Sequence, residues 1–234
     1  EGIQRAHHEA TREMRLRRLA AGPGQALHRS LDADEIVERL LFDAQARLSS
    51  SFVAMLWSAE PGEPLRPWAA RGESLDRVAA LELARHGPLA QLIEGLGRPV
   101  LRRELERFPE LRPEMPAFMA HGVTVLAPIG GDTGLEALLL ADERFDGGEP
   151  SAADLELLTS LCEIAAVALR NAARVRQQLL VALERTRGWS AETDDPHVDE
   201  AWGLVANAAQ ALLMAPRQRT LVEQALRMGS LAPG

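Results

Sequence analysis

From Ser151 to Thr186 the chain carries neither glycine nor proline, and Leu155, Leu158, Leu161, Cys162, Ala165, Leu169 and Ala172 recur there at helical spacing. Ser151 followed by Asp154 has the form of a capping box, which fixes where the helix starts. At about 1.5 Å per residue such a helix reaches about 54 Å, so it is expected to protrude from a small domain. Its later apolar positions, Val175, Leu179, Ala182 and Leu183, continue the stripe where no core of this chain is at hand to cover them. Pairing with a second copy is the expected solution, with Leu158, Leu161, Leu169, Val175, Leu179 and Leu183 as the candidate dimer residues.

The other elements follow from period and punctuation. Residues 1–20 mix Arg5, Arg12, Arg15, Arg17 and Arg18 with Glu9 and Glu13 before Gly22-Pro23-Gly24, as a solvated connecting helix would. Asp32 to Glu35 has the form of a second capping box, followed by Ile36, Val37, Leu40, Leu41, Ala44 and Leu48 on one helix face. Phe52 to Trp57 and Leu65 to Arg71 read as an antiparallel hairpin across a Pro-Gly turn. Residues 73–96 have a helical period interrupted at Gly87-Pro88, where a new helix can start. Arg98 to Arg102 reads as a short strand. Pro109, Pro113 and Pro116 make residues 104–122 a loop with one or two helical turns. Val123 to Ile129, the Gly-rich turn 130–134 and Leu135 to Ala141 form the strongest strand pair. Residues 187–197 read as a linker, with two further helices over about 198–215 and 217–228.

Composition narrows the chemistry. Across 234 residues, 34 acidic and 26 basic side chains leave a net charge of −8, which disfavours a nucleic-acid partner. All the basic side chains other than histidine are arginine, since the sequence contains no lysine, and it contains no tyrosine. A Schiff base, a phosphate-loop lysine and a Ser-x-x-Lys nucleophile are thereby excluded. One cysteine, Cys162, allows no internal disulfide, and its place on an apolar helix face reads as a small hydrophobe. The apolar runs Val123–Ile129 and Leu135–Ala141 are far shorter than the roughly 20 residues of a spanning helix. Glu1 falls in mid-helix pattern without a signal peptide, so the chain reads as a cytoplasmic piece of something longer. His197 among Asp194, Asp195, Asp199 and Glu200 reads as an acidic helix start before it reads as a metal site. His7-His8-Glu9 lacks the zinc-helix spacing, and Arg144 interrupts any calcium loop over residues 142–148. No catalytic set, metal or cofactor is assigned.

The order of helix, two strands, helices, strand, irregular segment, strong hairpin and long helix resembles a GAF domain over residues 29–174. The likeness is carried by Val123 to Ile129, the Gly-rich turn, Leu135 to Ala141, Phe145 with Gly147-Gly148, and Ser151 to Leu158; Gly87 to Ala90 and Arg98 to Val100 are similar to the family's middle. It implies an α+β fold in which an antiparallel sheet is flanked by helices and followed by a long C-terminal helix. Residues 1–28 would then be a connecting helix, and 175–234 the end of the long helix, a linker and a small helical extension. From Leu179 onward the chain is similar to the start of an HD-GYP domain, the cyclic-di-GMP phosphodiesterase family. The metal pair of that family would fall near Arg227-Met228-Gly229, and only His197 could correspond to a ligand, so this piece would be catalytically dead.

The resemblance also implies where a ligand would sit, between the sheet and the irregular middle segment. The expected lining is Trp68, Arg71, Leu92, Arg102, Phe118, His121 and Leu126, with Arg71 and Arg102 able to hold a carboxylate or phosphate. A pocket filled by its own side chains, such as Phe118 and Met119, is the other reading. The lysine-containing signature of cyclic-nucleotide members is absent, and Cys162 is not where bilin-binding members attach their chromophore. The reading is a non-enzymatic bacterial signalling module, a GAF-like sensor that dimerises through its flanking helices and answers a small molecule or another signalling protein. A regulatory fragment of an HD-GYP phosphodiesterase and a pure interaction scaffold are the alternatives.

Overall fold

A computed structural model describes residues 27, 30–58, 62–72, 75–131 and 134–192; the expected connecting helix before residue 27 and the HD-GYP-like extension after residue 192 lie outside them. The chain divides into two compact units, one of residues 1–30 and 35–168, the other of 31–34 and 169–234. In the first, helix α1 (Ala33–Leu48) leads into strands β1 (Val53–Trp57) and β2 (Arg66–Arg71). A single 3-10 turn at Leu75–Val78, helix α2 (Pro88–Leu96), the two-residue strand β3 (Val100–Leu101) and helix α3 (Arg102–Leu105) come next. A second 3-10 turn at Pro109–Leu111 and helix α4 (Met115–Ala120) complete the middle segment. Strands β4 (Val125–Gly131) and β5 (Gly134–Ala141) precede helix α5 (Ala152–Glu192).

The five strands form one antiparallel sheet in the order β2-β1-β5-β4-β3. β5 lies at its centre, and every residue from Ala137 to Ala141 is buried. That explains why Leu138-Leu139-Leu140 shows no polar alternation: both faces of the strand meet apolar cover. On one face Ala54 and Leu56 of β1, Val100 of β3, Leu126 of β4, and Leu138 and Leu140 of β5 join a cluster with residues 65–118, including Leu81, Leu89, Ile93, Leu111 and Phe118. Strand neighbours pointing the other way, Val53, Met55, Val125, Ala127, Leu139 and Ala141, are buried too and stand outside that cluster. The buried stripes of α1 (Ile36, Val37, Leu40, Leu41, Ala44) and of α5 (Leu158, Leu161, Cys162, Ile164, Ala165) remain to cover this second face.

Both helix starts carry their caps. Asp32 Oδ1 accepts the Asp34 backbone N–H at 3.0 Å. At α5 the box is reciprocal, with the Asp154 N–H donating to Ser151 Oγ at 3.2 Å and the Ser151 N–H to Asp154 Oδ2 at 2.9 Å. The Ser151 hydroxyl also donates to Asp154 Oδ2 at 2.8 Å, and this bond, followed by that of the Ser151 N–H, holds the Asp154 carboxyl below its ordinary value. The turn after β2 needs Gly72, at φ +87°, because a Cβ there would strike the Ser51 carbonyl.

Three expectations are corrected. The helical period over residues 73–87 is one 3-10 turn, after which Leu81 and Leu83 enter the core on either side of exposed Glu82, and Leu83 pairs with Leu65 through backbone bonds of 2.9 and 3.0 Å. Two leucines at spacing two fit a strand-like stretch as well as they fit a helix. Gly130, Gly131 and Gly134, expected in the turn, belong to the strands, because β4 and β5 stay paired to Gly131 and Gly134. The linker expected from residue 187 begins later, since α5 runs through Gly188 to Glu192; a lone glycine costs a helix only about 1 kcal/mol.

Helix α2 is capped from outside. Its N-cap is Gly87, which has no side chain to bond the free N–H groups, and the carboxylate of Glu114 receives the Leu89 N–H instead. A Cβ at Gly87 would stand 2.9 Å from Glu114 Oε1, so the glycine makes room for the carboxylate. Burial raises the Glu114 carboxyl above its ordinary value, and Oε2 is buried without a partner among the described residues. A group raised on folding adds stability below its unfolded value and loses it as the pH rises through the folded one. Glu114→Gln is therefore expected to melt higher than the parent at pH 7, with the gap narrowing as the pH falls through the raised folded value and closed below about 4.3, as calorimetry across that range would show. Burial also pushes the Cys162 thiol from 9.0 up to about 12, lowering its thiolate fraction near neutrality about a thousandfold. Cys162 is expected to resist a disulfide reagent in the native protein and to react at the rate of a free thiol in denaturant, read as released chromophore.

Candidate functional site

The expected ligand face is the one covered by the middle segment. Phe118 is 1% exposed there and Leu126 fully buried, both in the cluster on that face, and Leu92 is partly buried against it. Of the two side chains named for a filled pocket, Phe118 is buried, while Met119 is 49% exposed. His121 caps the C-terminus of α4, where its own N–H reaches the Met119 carbonyl, and it is partly exposed.

The two arginines do not meet. Arg71 ends β2 at one edge of the sheet, and Arg102 follows β3 at the other, four strand spacings away or about 19 Å. No single carboxylate or phosphate spans that gap. Arg71 belongs to the α1 side, donating from Nε to Gln45 Oε1 at 2.8 Å and lying 4.9 Å from the Phe42 ring centroid. Arg102 pairs with Glu106 at 3.4 Å one turn along its helix and reaches the Val123 carbonyl at 3.5 Å. Trp68 sits at the irregularity where β1 and β2 change register, its ring 4.8 Å from that of Trp57 and tilted by 38°. Of the seven expected residues, the fold gathers Leu92, Phe118 and Leu126 and disperses the arginines.

The charged groups near β3 are already matched. Arg98 donates to Glu104 Oε2 at 2.7 Å, and the Leu101 N–H to Oε1 at 3.2 Å. The Arg98 bond, more than any other cause, holds the Glu104 carboxyl below its ordinary value. Among the described residues no group of three or more His, Cys, Asp or Glu side chains is placed to hold a metal ion. Sequence reasoning missed Glu114, although Gly87 before Pro88 was a signal: an N-cap without a side chain calls for an acceptor from elsewhere. On α5, Leu158 and Leu161 are 0% and 2% exposed and serve this chain's own core, which corrects their place among the dimer residues. Leu169 and Val175 are partly exposed. Leu179 and Leu183 lie in α5 by backbone, and their side chains fall outside the description.

No protein-family model and no curated protein matches the chain. Solved structures do. Residues 122 to 287 of a methyl-accepting chemotaxis protein superpose with a TM-score of 0.53 at 16% identity, over 66% of this chain and 98% of that one. The GAF domain of a phosphoenolpyruvate-protein phosphotransferase from Coxiella burnetii gives 0.51 at 13% identity, over 69% and 96%. A GAF domain/HD domain protein from Geobacter sulfurreducens gives 0.50 at 15% identity, over 64% and 97%. Together with the sheet order and the long final helix, these likenesses make the fold a GAF-like α+β fold.

Proposed function

We propose that this chain is a non-enzymatic sensor module of bacterial signal transduction, a cytoplasmic homodimer that passes a change in packing along α5. The observation that carries the reading is α5 itself. One unbroken helix of 41 residues, about 61 Å, holds core residues Leu158, Leu161, Cys162 and Ile164 near its start and continues far beyond them. A change in packing at the start of a continuous helix can be passed along its backbone without a bond breaking. The proposal needs a second state within a few kcal/mol and an input that favours it. The separation of Arg71 and Arg102 at opposite edges of the sheet favours an input that acts on packing over an anion held by paired arginines. The similarity to part of a methyl-accepting chemotaxis protein supports a place in signalling. Among the described residues no helix is long and apolar enough to cross a membrane.

On this reading the stripe beyond the core is where two copies meet. The double substitution Leu179→Glu with Leu183→Glu is expected to reduce the molar mass in light scattering from twice 25.5 kDa to 25.5 kDa, with the far-ultraviolet circular dichroism of the sheet unit retained. A variant that stays dimeric, or a parent that is monomeric at the same concentration, overturns the dimer mechanism.

A further inference from the structure

Among the described carboxyls that depart from their ordinary values, Glu104, Asp146 and Asp154 are held down by hydrogen bonds, and Glu114 alone is raised. The reason is where it reaches. Glu114 stands just before α4, yet its carboxylate receives the Leu89 N–H in the first turn of α2. It packs on Gly87 so closely that a Cβ there would lie 2.9 Å from Oε1 and 3.1 Å from Oε2. Oε2 is buried and finds no hydrogen-bond partner among the described residues. The carboxylate thus gives up water around one oxygen and gains one backbone bond.

The charged residues of the elements around it are turned elsewhere. On the stretch before Gly87, Arg85 reaches the Leu135 carbonyl at 3.1 and 3.3 Å, and His86 is exposed. The one charged residue of α2, Glu94, lies against Gly134. On the segment of Glu114 itself, Glu110 and Arg112 are exposed, and His121 stands at the far end of α4. Burial and the Leu89 bond are the two causes acting on Glu114, and burial is the larger.

Helix α4 has 6 residues and is too short to hold itself together, so what fastens its start matters. A carboxyl that takes up a proton still accepts an N–H through its carbonyl oxygen, so protonation removes the desolvated charge and keeps the bond. Opening at the start of α4 returns the same group to water. We propose that Glu114 is a proton-controlled fastening, which holds the start of α4 against α2 more tightly when its carboxyl is protonated and lets it open more often once the carboxyl is ionised. An opening that takes α4 with it uncovers Met115 and Phe118, which are 5% and 1% exposed when it is closed. The fastening is complete below the ordinary value of about 4.3 and weakens as the pH rises through the raised value of the closed form.

Amide hydrogen exchange on the full chain reads this opening, as protection factors from which the intrinsic effect of pH is divided out. The reporters are the Glu114 N–H, bonded to the Leu111 carbonyl at 3.0 Å, and the Val123 N–H, bonded to the Phe118 carbonyl at 3.0 Å. The β5 amides serve as the reference for opening of the whole sheet. Between about pH 4 and pH 7 the protection of the reporters relative to β5 is expected to fall, about tenfold for each unit by which the carboxyl is raised. Glu114→Gln, which keeps an acceptor and carries no charge, is expected to hold the high ratio at every pH. A flat ratio in the parent overturns the proposal, and so does a fall that persists in Glu114→Gln. Loss of β5 protection would show that the variant is unfolded, and a second measurement in the parent then decides. The Glu114 carboxyl carbon, followed by nuclear magnetic resonance, is expected to titrate above about 4.3 and over the range in which the ratio falls. An ordinary midpoint, or one outside that range, overturns the proposal.

Discussion

Burial of β5 on both faces is the constraint from which the rest of the molecule follows. A strand whose Leu138, Leu139 and Leu140 are all removed from water requires two apolar layers, and a chain this short has few ways to supply them. One layer comes from the middle segment, which brings Leu81, Leu89, Ile93, Leu111 and Phe118 over the sheet in short pieces. The other falls to the apolar stripes of α1 and α5. At about 1.5 to 3 kcal/mol for each fully buried leucine, the three central residues alone outweigh any surface ion pair in the chain, most of which are worth under about 1 kcal/mol. The antiparallel order with β5 between β1 and β4 is the arrangement that puts the most apolar strand where both layers reach it.

Much of this was legible because apolar period and capping chemistry are local. The Ser151 and Asp154 pair, the α1 stripe, both hairpins and the start of α2 at Pro88 all lie within a few residues of the signal that reveals them. What failed was what depends on partners far along the chain. Leu81 and Leu83 were read with a helix because their pairing partner, Leu65, is distant in sequence and nothing nearby declares a strand. Gly188 was read as a breaker, yet a single glycine inside a long helix is a modest cost against the bonds on either side of it.

The candidate site was less legible than the fold, for a geometric reason. Arg71 and Arg102 looked like a pair because each lies next to a strand expected to border the same face. Their distance is set by strand order across the sheet, and their direction by alternation and by the bulge near Trp68. A one-residue irregularity turns a side chain to the opposite face, so facing is the least secure inference that a strand sequence allows. The hydrophobic members of the same set, Leu92, Phe118 and Leu126, come together in the fold because burial follows from residue type while direction does not.

The middle segment shows how a layer made of short pieces is kept in register. Helices α3 and α4 have 4 and 6 residues, too short to be stable without help, since isolated helices below about 12 residues are marginal. Their hold comes from contacts outside the helix. Glu114, just before α4, caps α2, and Glu104 in α3 takes both the Leu101 N–H and the Arg98 guanidinium. Glu114 thus ties α2 to the start of α4, and Glu104 ties α3 to β3 and the residues just before it. The same Glu114 that joins α2 to the start of α4 keeps one oxygen unpaired, so the tie is made at a desolvation cost that the bond to the Leu89 N–H offsets only in part.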